Sequence, residues 1–168
     1  MKKAKILIVD DHPIVRNGLK SILSRNPDYL LVGEAENGEE AYKKVLELKP
    51  DIVVLDIVMP RLGGIQVAER IKKFHPKTKI IILSMYKQKE YALCALRAGV
   101  DGFVLKDQAS ERLLDALDSV RAGKRYICPD VARYLAEEYI QFTKNNTLDP
   151  FYSLSLREKE VLSLIVEG

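Results

Sequence analysis

The sequence predicts an α/β protein: a doubly wound, five-stranded parallel sheet with helices on both faces, followed by a helical tail. Two observations predict it. Five short apolar runs, at residues 6–9, 29–32, 52–55, 80–83 and 102–105, alternate with amphipathic helical patterns. Four of these runs are rich in Val, Ile or Leu and show little polar alternation, which is how strands buried on both faces read. Strand and helix in alternation imply right-handed βαβ units, a parallel sheet, and a crevice at the carboxyl ends of the strands.

The helices have legible starts and stops. Pro13 sits where a first helical residue is favoured, and Val15, Leu19 and Ile22 follow at helical spacing. Asn37 caps the second helix, with Glu40 three residues on in the manner of a capping box, and Lys49-Pro50 ends it. Gly64 opens the third, through Ile65, Ala68 and Ile71, and His75-Pro76 stops it. The fourth spans about residues 88–98, with Gly99 as its stop. Ser110 is placed to cap the fifth, whose Leu113, Leu114, Leu117 and Val120 share a face before Gly123. The second strand is the least defined, because Gly33 and Glu34 follow it closely.

After Gly123 the pattern changes. Residues 130–142 read as one more helix, either a partner surface or a spacer, and 143–153 as a polar, turn-rich linker. Ser155 then caps a last helix, with Glu158 three residues later and Val161, Leu162 and Ile165 behind. The organisation is therefore a first domain at 1–122, a helical linker at 123–153, and the opening of a further domain at 154–168.

With 168 residues, 47% of them hydrophobic, the chain can bury one good core and is too apolar to be disordered. A net charge of +3 does not by itself argue for nucleic-acid binding. Cys94 and Cys128 are too few for a secreted disulfide framework and read as inert thiols in a reducing compartment. No run approaches the roughly 20 apolar residues of a membrane span. The basic start, Met1 to Lys5, leads into an apolar run too short for a signal peptide, because Asp10-Asp11-His12-Pro13 breaks it. A cytoplasmic protein without membrane contact is expected.

Asp10 and Asp11 follow the first strand directly, Asp56 closes the third, Ser84 the fourth and Lys106 the fifth. Single polar residues at strand ends are ordinary. Three carboxylates, a hydroxyl and an ammonium at four strand ends are not. Carboxylates held together resist full ionisation, and a hard divalent cation such as Mg²⁺ relieves the repulsion through oxygen ligands. Lys106 offers a compact positive charge and Ser84 a donor to a phosphoryl oxygen. These parts suit phosphoryl transfer, where positioning and charge stabilisation supply nearly all the catalysis.

The motifs Ile6-Leu7-Ile8-Val9-Asp10-Asp11-His12-Pro13, Asp56-Ile57-Val58-Met59-Pro60 with Gly63-Gly64, Leu83-Ser84-Met85 and Gly102-Phe103-Val104-Leu105-Lys106 resemble the receiver domain of two-component response regulators, over about residues 5–121. The resemblance implies a flavodoxin-like fold and a set of roles. Asp56 is the phosphoryl acceptor, charged by a sensor histidine kinase. Asp11 and Asp56 ligate Mg²⁺ directly, Asp10 mainly through water, and the backbone carbonyl of Val58 adds a ligand. Lys106 bridges carboxylate and phosphoryl oxygen. Ser84 moves to the phosphoryl group and Phe103 follows inward, a two-state switch. Phosphorylation changes the surface around the fourth and fifth helices, with a phosphorylation-dependent homodimer as one outcome.

Residues 154–168 resemble the opening of a LuxR/NarL-type helix-turn-helix domain, which reads DNA through its second motif helix. That helix lies beyond the chain, so a truncated regulator is expected, with DNA bound through the complete carboxyl-terminal domain and not by this fragment.

Plainer readings stand beside these. Asp56 could cap a turn, Asp11 could serve the helix dipole, Phe103 could be core alone, and His12, despite possible phosphohistidine or metal roles, reads as a surface residue. A haloacid-dehalogenase-type phosphohydrolase would want a second carboxylate two residues after Asp56, where Val58 stands, so turnover is not expected. Val58 and Tyr86 offer neither a carboxylate nor an amide to orient an attacking water, which implies slow self-dephosphorylation. Asp107 replaces a proline frequent in receivers, leaving the loop after Lys106 without that restraint.

Overall fold

The computed structural model describes residues 2–145. The expected linker end and helix-turn-helix opening at 146–168 lie outside the described residues. Six parallel strands, β1 (Ala4–Val9), β2 (Tyr29–Ala35), β3 (Ile52–Asp56), β4 (Lys79–Ser84), β5 (Gly102–Leu105) and β6 (Tyr126–Ile127), form one sheet in the order β2-β1-β3-β4-β5-β6. The helices are α1 (Pro13–Ser24), α2 (Gly38–Leu48), α3 (Gly64–Phe74), α4 (Lys89–Arg97), α5 (Ala109–Arg121) and α6 (Pro129–Asn145). The expectation of five strands is corrected to six. A two-residue strand is too short to show a periodicity, and only its pairing, Gly102 with Tyr126 and Phe103 with Ile127, reveals it.

The central strands are buried on both faces, so successive residues feed two cores. Val53, Leu55, Ile80 and Ile82 point into one, with Val67 and Ile71 of α3 and Ala95 and Leu96 of α4. Ile52, Val54, Ile81 and Leu83 point into the other, with Leu19 and Leu23 of α1 and Leu113 and Leu117 of α5. Each fully buried aliphatic side chain contributes about 1.5–3 kcal/mol, which is why pure Val/Ile/Leu runs are retained here.

Local signals behave as their chemistry predicts, with three differences. Asn37 Oδ1 accepts from the Glu40 amide at 3.0 Å, but the Glu40 carboxylate accepts from Glu36 N at 2.9 Å, one residue short of a reciprocal box. β2 runs on through Gly33 and Glu34 because its register against β1 shifts between Ile6 and Leu7, absorbing one extra residue. Ser110 does not cap α5. A 3₁₀ turn at Lys106–Gln108 already winds the backbone, with Ala109 N donating to Lys106 O, so the helix begins at Ala109. That turn is also the loop geometry that Asp107 adopts in place of proline.

The segment expected as a linker begins with packed elements. Cys128 and Val131 are 0% and 1% exposed, and with Leu135 they share a core with Phe103, Ala92 and Leu96. α6 thus lies against α4, and Gln108 Nε2, in the turn before α5, donates to Asp130 of α6 at 2.6 Å.

Candidate functional site

The chain runs from β1 outward to β2 and then returns to β3 on the other side of β1. This reversal opens a crevice at the carboxyl ends of β1 and β3, the point where such sheets bind ligands. Asp10 and Asp11 leave β1 there, and Asp56 ends β3. Lys106, just past β5, reaches back across the rim. Its Nζ stands 2.7 Å from Asp10 Oδ2 and 2.8 Å from Asp56 Oδ2.

All three of these side chains are buried, with Asp10 fully so and Asp56 and Lys106 at 4% and 6% side-chain exposure. Burial raises the Asp56 pKa, and the charge of Asp10 adds to the rise. Lys106 and the Val58 amide, 3.4 Å from Asp56 Oδ1, pull it back only in part. For Lys106, burial pulls the pKa down, yet its pairing with Asp10 and Asp56 outweighs this and the net shift is upward. The ammonium is therefore a fixed positive charge at neutral pH.

Asp11 and His12 complete the rim. His12 N donates to Asp10 Oδ1 at 2.8 Å, and its ring Nδ1 lies 3.2 Å from the same oxygen and 2.8 Å from Asp11 Oδ1. One ligand atom from each of Asp10, Asp11, His12 and Asp56 can be chosen so that all lie within 4.8 Å of one another. Asp10 Oδ2 and Asp11 Oδ1 are closed off from solvent and take no directed hydrogen bond. Lys106 Nζ stands 2.7 Å from the first, and the His12 ring nitrogen 2.8 Å from the second. Carboxylates crowded around a single ammonium carry excess negative charge that a divalent cation would balance.

Residues 6–118 match the family of response regulator receiver domains, and that span is most of the chain. This chain belongs to that family. The chain is 40% identical over 168 residues to the oxygen regulatory protein NreC of Staphylococcus carnosus (strain TM300), covering 98% of this chain and 77% of NreC. Among solved structures it is similar to a LuxR-family two-component response regulator from Aurantimonas sp. SI85-9A1, with TM-score 0.79, 39% identity, and 83% of this chain and 99% of that one covered. It is also similar to the signal receiver domain of NarL from Mycobacterium tuberculosis, with TM-score 0.71, 30% identity, and 74% and 100% covered. The chain is thus a LuxR/NarL-type receiver of two-component signalling that controls transcription.

Within the receiver, the residues singled out in the sequence gather as follows. Asp10, Asp11, Asp56 and Lys106 meet at one rim. Ser84 is fully buried at the end of β4, and its hydroxyl is turned into its own loop, donating to Tyr86 O at 3.1 Å and accepting from Tyr86 N at 2.9 Å. Phe103 is fully buried, already inside the core beneath α4 and α6. Val58 is half exposed at the mouth, and Tyr86, 40% exposed, stacks on Tyr91.

Two residues important to the receiver's site were not singled out for it. Arg16 is 8% exposed and donates to the Asp10 carbonyl at 2.7 Å, while pairing with Glu34 at 3.3 Å and Glu36 at 2.6 Å. It holds the β1–α1 loop under the carboxylates. Its only trace in the sequence is a basic residue on the buried side of α1. Gly64 was read as a helix start. Its larger role is to let α3 approach the end of β3, because an added Cβ would overlap the Asp56 carbonyl oxygen and lie 2.9 Å from Ile57 Cα.

Among the described residues, no helix is long and apolar enough to cross a membrane.

Proposed function

We propose that Asp56 is the phosphoryl acceptor of this receiver and that Asp10, Asp11 and Asp56 hold a Mg²⁺ ion beside it. The observation that carries this reading is the meeting of three carboxylates and one buried ammonium at the switch point of the sheet. When bound, Mg²⁺ supplies positive charge to the oxygens of an incoming phosphoryl group. Asp11 and Asp56 would hold it directly, Asp10 through water, and the Val58 carbonyl would add a further oxygen.

The chain's own residues do the rest. Asp56 Oδ2 is occupied by Lys106, which leaves Oδ1, with only the long Val58 amide contact, as the attacking atom. It forms an O–P bond as the donor's bond to phosphorus breaks and the donor keeps the electron pair. Lys106 then bridges the acyl phosphate and the Asp10 side. Ser84 leaves its two bonds to Tyr86 for a phosphoryl oxygen, and the packing of Phe103 follows.

The donor is a sensor histidine kinase. A mostly apolar groove lined by Val15, Gly18, Ile22, Met85 and Ala109 runs from α1 to Lys106, with Ile14 86% exposed beside it. A kinase helix seated there brings its phosphohistidine to Asp56. The receiver spans 1–122, 123–153 is the helical linker, and 154–168 begins a LuxR-type DNA-binding domain, whose complete form binds DNA. The protein works in the cytoplasm, as a regulator and not as a turnover enzyme, and phosphorylation favours a homodimer.

The test is direct. Incubation with Mg²⁺ and acetyl phosphate should add one phosphoryl group per chain by mass, and Asp56→Ala should abolish the addition. Rapid multiple turnover of a phosphoester, or unchanged labelling of Asp56→Ala, would overturn the assignment.

A further inference from the structure

We propose that the amino-terminal end of the sheet is a second interaction surface, a basic trough that seats the phosphate ridge of duplex DNA without reading its sequence. It lies at the opposite end of the strands from Asp56 and does not depend on phosphoryl chemistry. Sequence-specific binding stays with the complete carboxyl-terminal domain.

The trough follows from strand register. β3 lies between β1 and β4, and its first residue, Ile52, pairs with Ile6 on one side and Lys79 on the other. β1 starts two residues earlier, at Ala4, with Lys2 and Lys3 before it, while Lys77 leads into β4. The sheet end is thus recessed at Asp51-Ile52 between two basic walls. With two strand spacings between them, the walls stand about 10 Å apart. That width admits one phosphodiester ridge and not a whole duplex. Lys2, Lys3, Lys77, Lys79 and Arg121 line a cavity of about 280 Å³ there. A depression of about 450 Å³ shares Asp51 and Lys77 with it and adds Lys49. An elongated trough suits an extended polyanion better than a compact ligand.

The charge is unbalanced. Lys2, Lys3, Lys49 and Lys77 are exposed, and among the described residues none of the four forms an ion pair. Arg121 donates to the Lys2 carbonyl at 3.0 Å and lies over the Tyr29 ring, which holds the chain start against the trough. Asp118, one turn before Arg121, accepts from the Tyr29 hydroxyl. Lys79 stands 3.1 Å from Asp101, which also pairs with Lys72. Asp51 is the carboxylate that lines the trough, and it accepts the Lys5 amide at 2.7 Å. Even with Lys79 assigned to Asp101, five cations face that one carboxylate. The other end of the strands carries Asp10, Asp11 and Asp56, so charge is divided along the strand axis and only the basic end attracts a polyanion.

Two considerations select DNA. Lysines are mobile point charges that neutralise phosphates without fixing a base. The chain is also a receiver that controls transcription, so an attached domain bound to DNA holds it close to the duplex. At such an effective concentration a weak contact is populated.

The 168-residue chain is titrated into a fluorescein-labelled duplex of roughly 20 base pairs and arbitrary sequence, in about 50–200 mM KCl, and read by anisotropy. Binding should be weak, with log K falling against log [KCl] at a slope of about −3 to −5. Lys3→Glu with Lys77→Glu should weaken it by about tenfold or more at the lowest salt and flatten the slope by about two. Lys43→Glu with Arg133→Glu makes the same change in net charge at exposed positions elsewhere and should cost less than about threefold. Melting temperature checks that both double variants fold. Equal losses in the two, or no binding by the unsubstituted chain at the lowest salt, would overturn the proposal. Displacement of the duplex by polyglutamate at equal charge would overturn DNA as the occupant in favour of an acidic protein surface. Labelling of Asp56 does not enter the readout, so either result leaves the acceptor assignment untouched.

Discussion

Lys106 Nζ stands 2.8 Å from Asp56 Oδ2 while also touching Asp10 at 2.7 Å, so one ammonium balances two buried carboxylates from different strands. Removing it leaves both carboxylates without their cation. Lys106→Met should cost about 3 kcal/mol of stability at neutral pH in chelator, read by urea unfolding. Added Mg²⁺ should recover part of the loss. Labelling by acetyl phosphate should fall even when Mg²⁺ is saturating.

The same pair sets a pH dependence. Burial raises the Asp56 pKa above the ordinary carboxylate range. The folded state then holds a proton that the unfolded chain releases. The stability this contributes is fully present below the unfolded pKa and is lost as pH rises through the folded one. Lys106 is also raised, so its contribution persists through neutrality and is lost only in the alkaline range. Metal-free protein should lose melting temperature as pH climbs from the carboxylate range, and Asp56→Asn should flatten that slope. An equal slope in the two proteins would contradict the assignment.

Val58 and Tyr86 are 48% and 40% exposed, and neither carries a carboxylate or amide to orient a water. The acyl phosphate on Asp56 should therefore hydrolyse slowly. Val58→Asn combined with Tyr86→Glu should shorten its lifetime by about fivefold or more, measured by loss of the phosphorylated mass. An unaltered lifetime would show that these positions do not control the attacking water.

Gly64 makes close backbone contact with Asp56. Gly64→Ala should destabilise the fold by about 1–3 kcal/mol through overpacking against a backbone that cannot yield cheaply. It should also slow phosphorylation more than its stability loss explains. The comparison is between melting temperature and labelling rate at full folding.

α6 packs as part of the core, with Leu135 7% exposed in the cluster that includes Phe103. Leu135→Ala should cost about 2–4 kcal/mol by leaving a cavity under α4. Loss confined to regulation, with unchanged unfolding in urea, would show that α6 detaches readily from the receiver.

What the sequence determined by itself was the part written in local chemistry. Uninterrupted aliphatic runs cannot face water, so β1, β3, β4 and β5 and the carboxylates at their ends could be placed from residue types alone. Pro13, Asn37 and Gly99 marked helix ends because each meets a backbone need within a few residues. Other features were decided only by tertiary structure. β6 exists because β5 offers it an edge, and two residues carry no period of their own. The fully buried Ser84 keeps its hydroxyl within its loop, Arg16 reaches the Asp10 carbonyl, and His12 turns its ring to both acids, because the sheet and loop arrange partners that no local pattern announces. Side-chain direction depends on what packs around it, and that information is distributed over the whole chain.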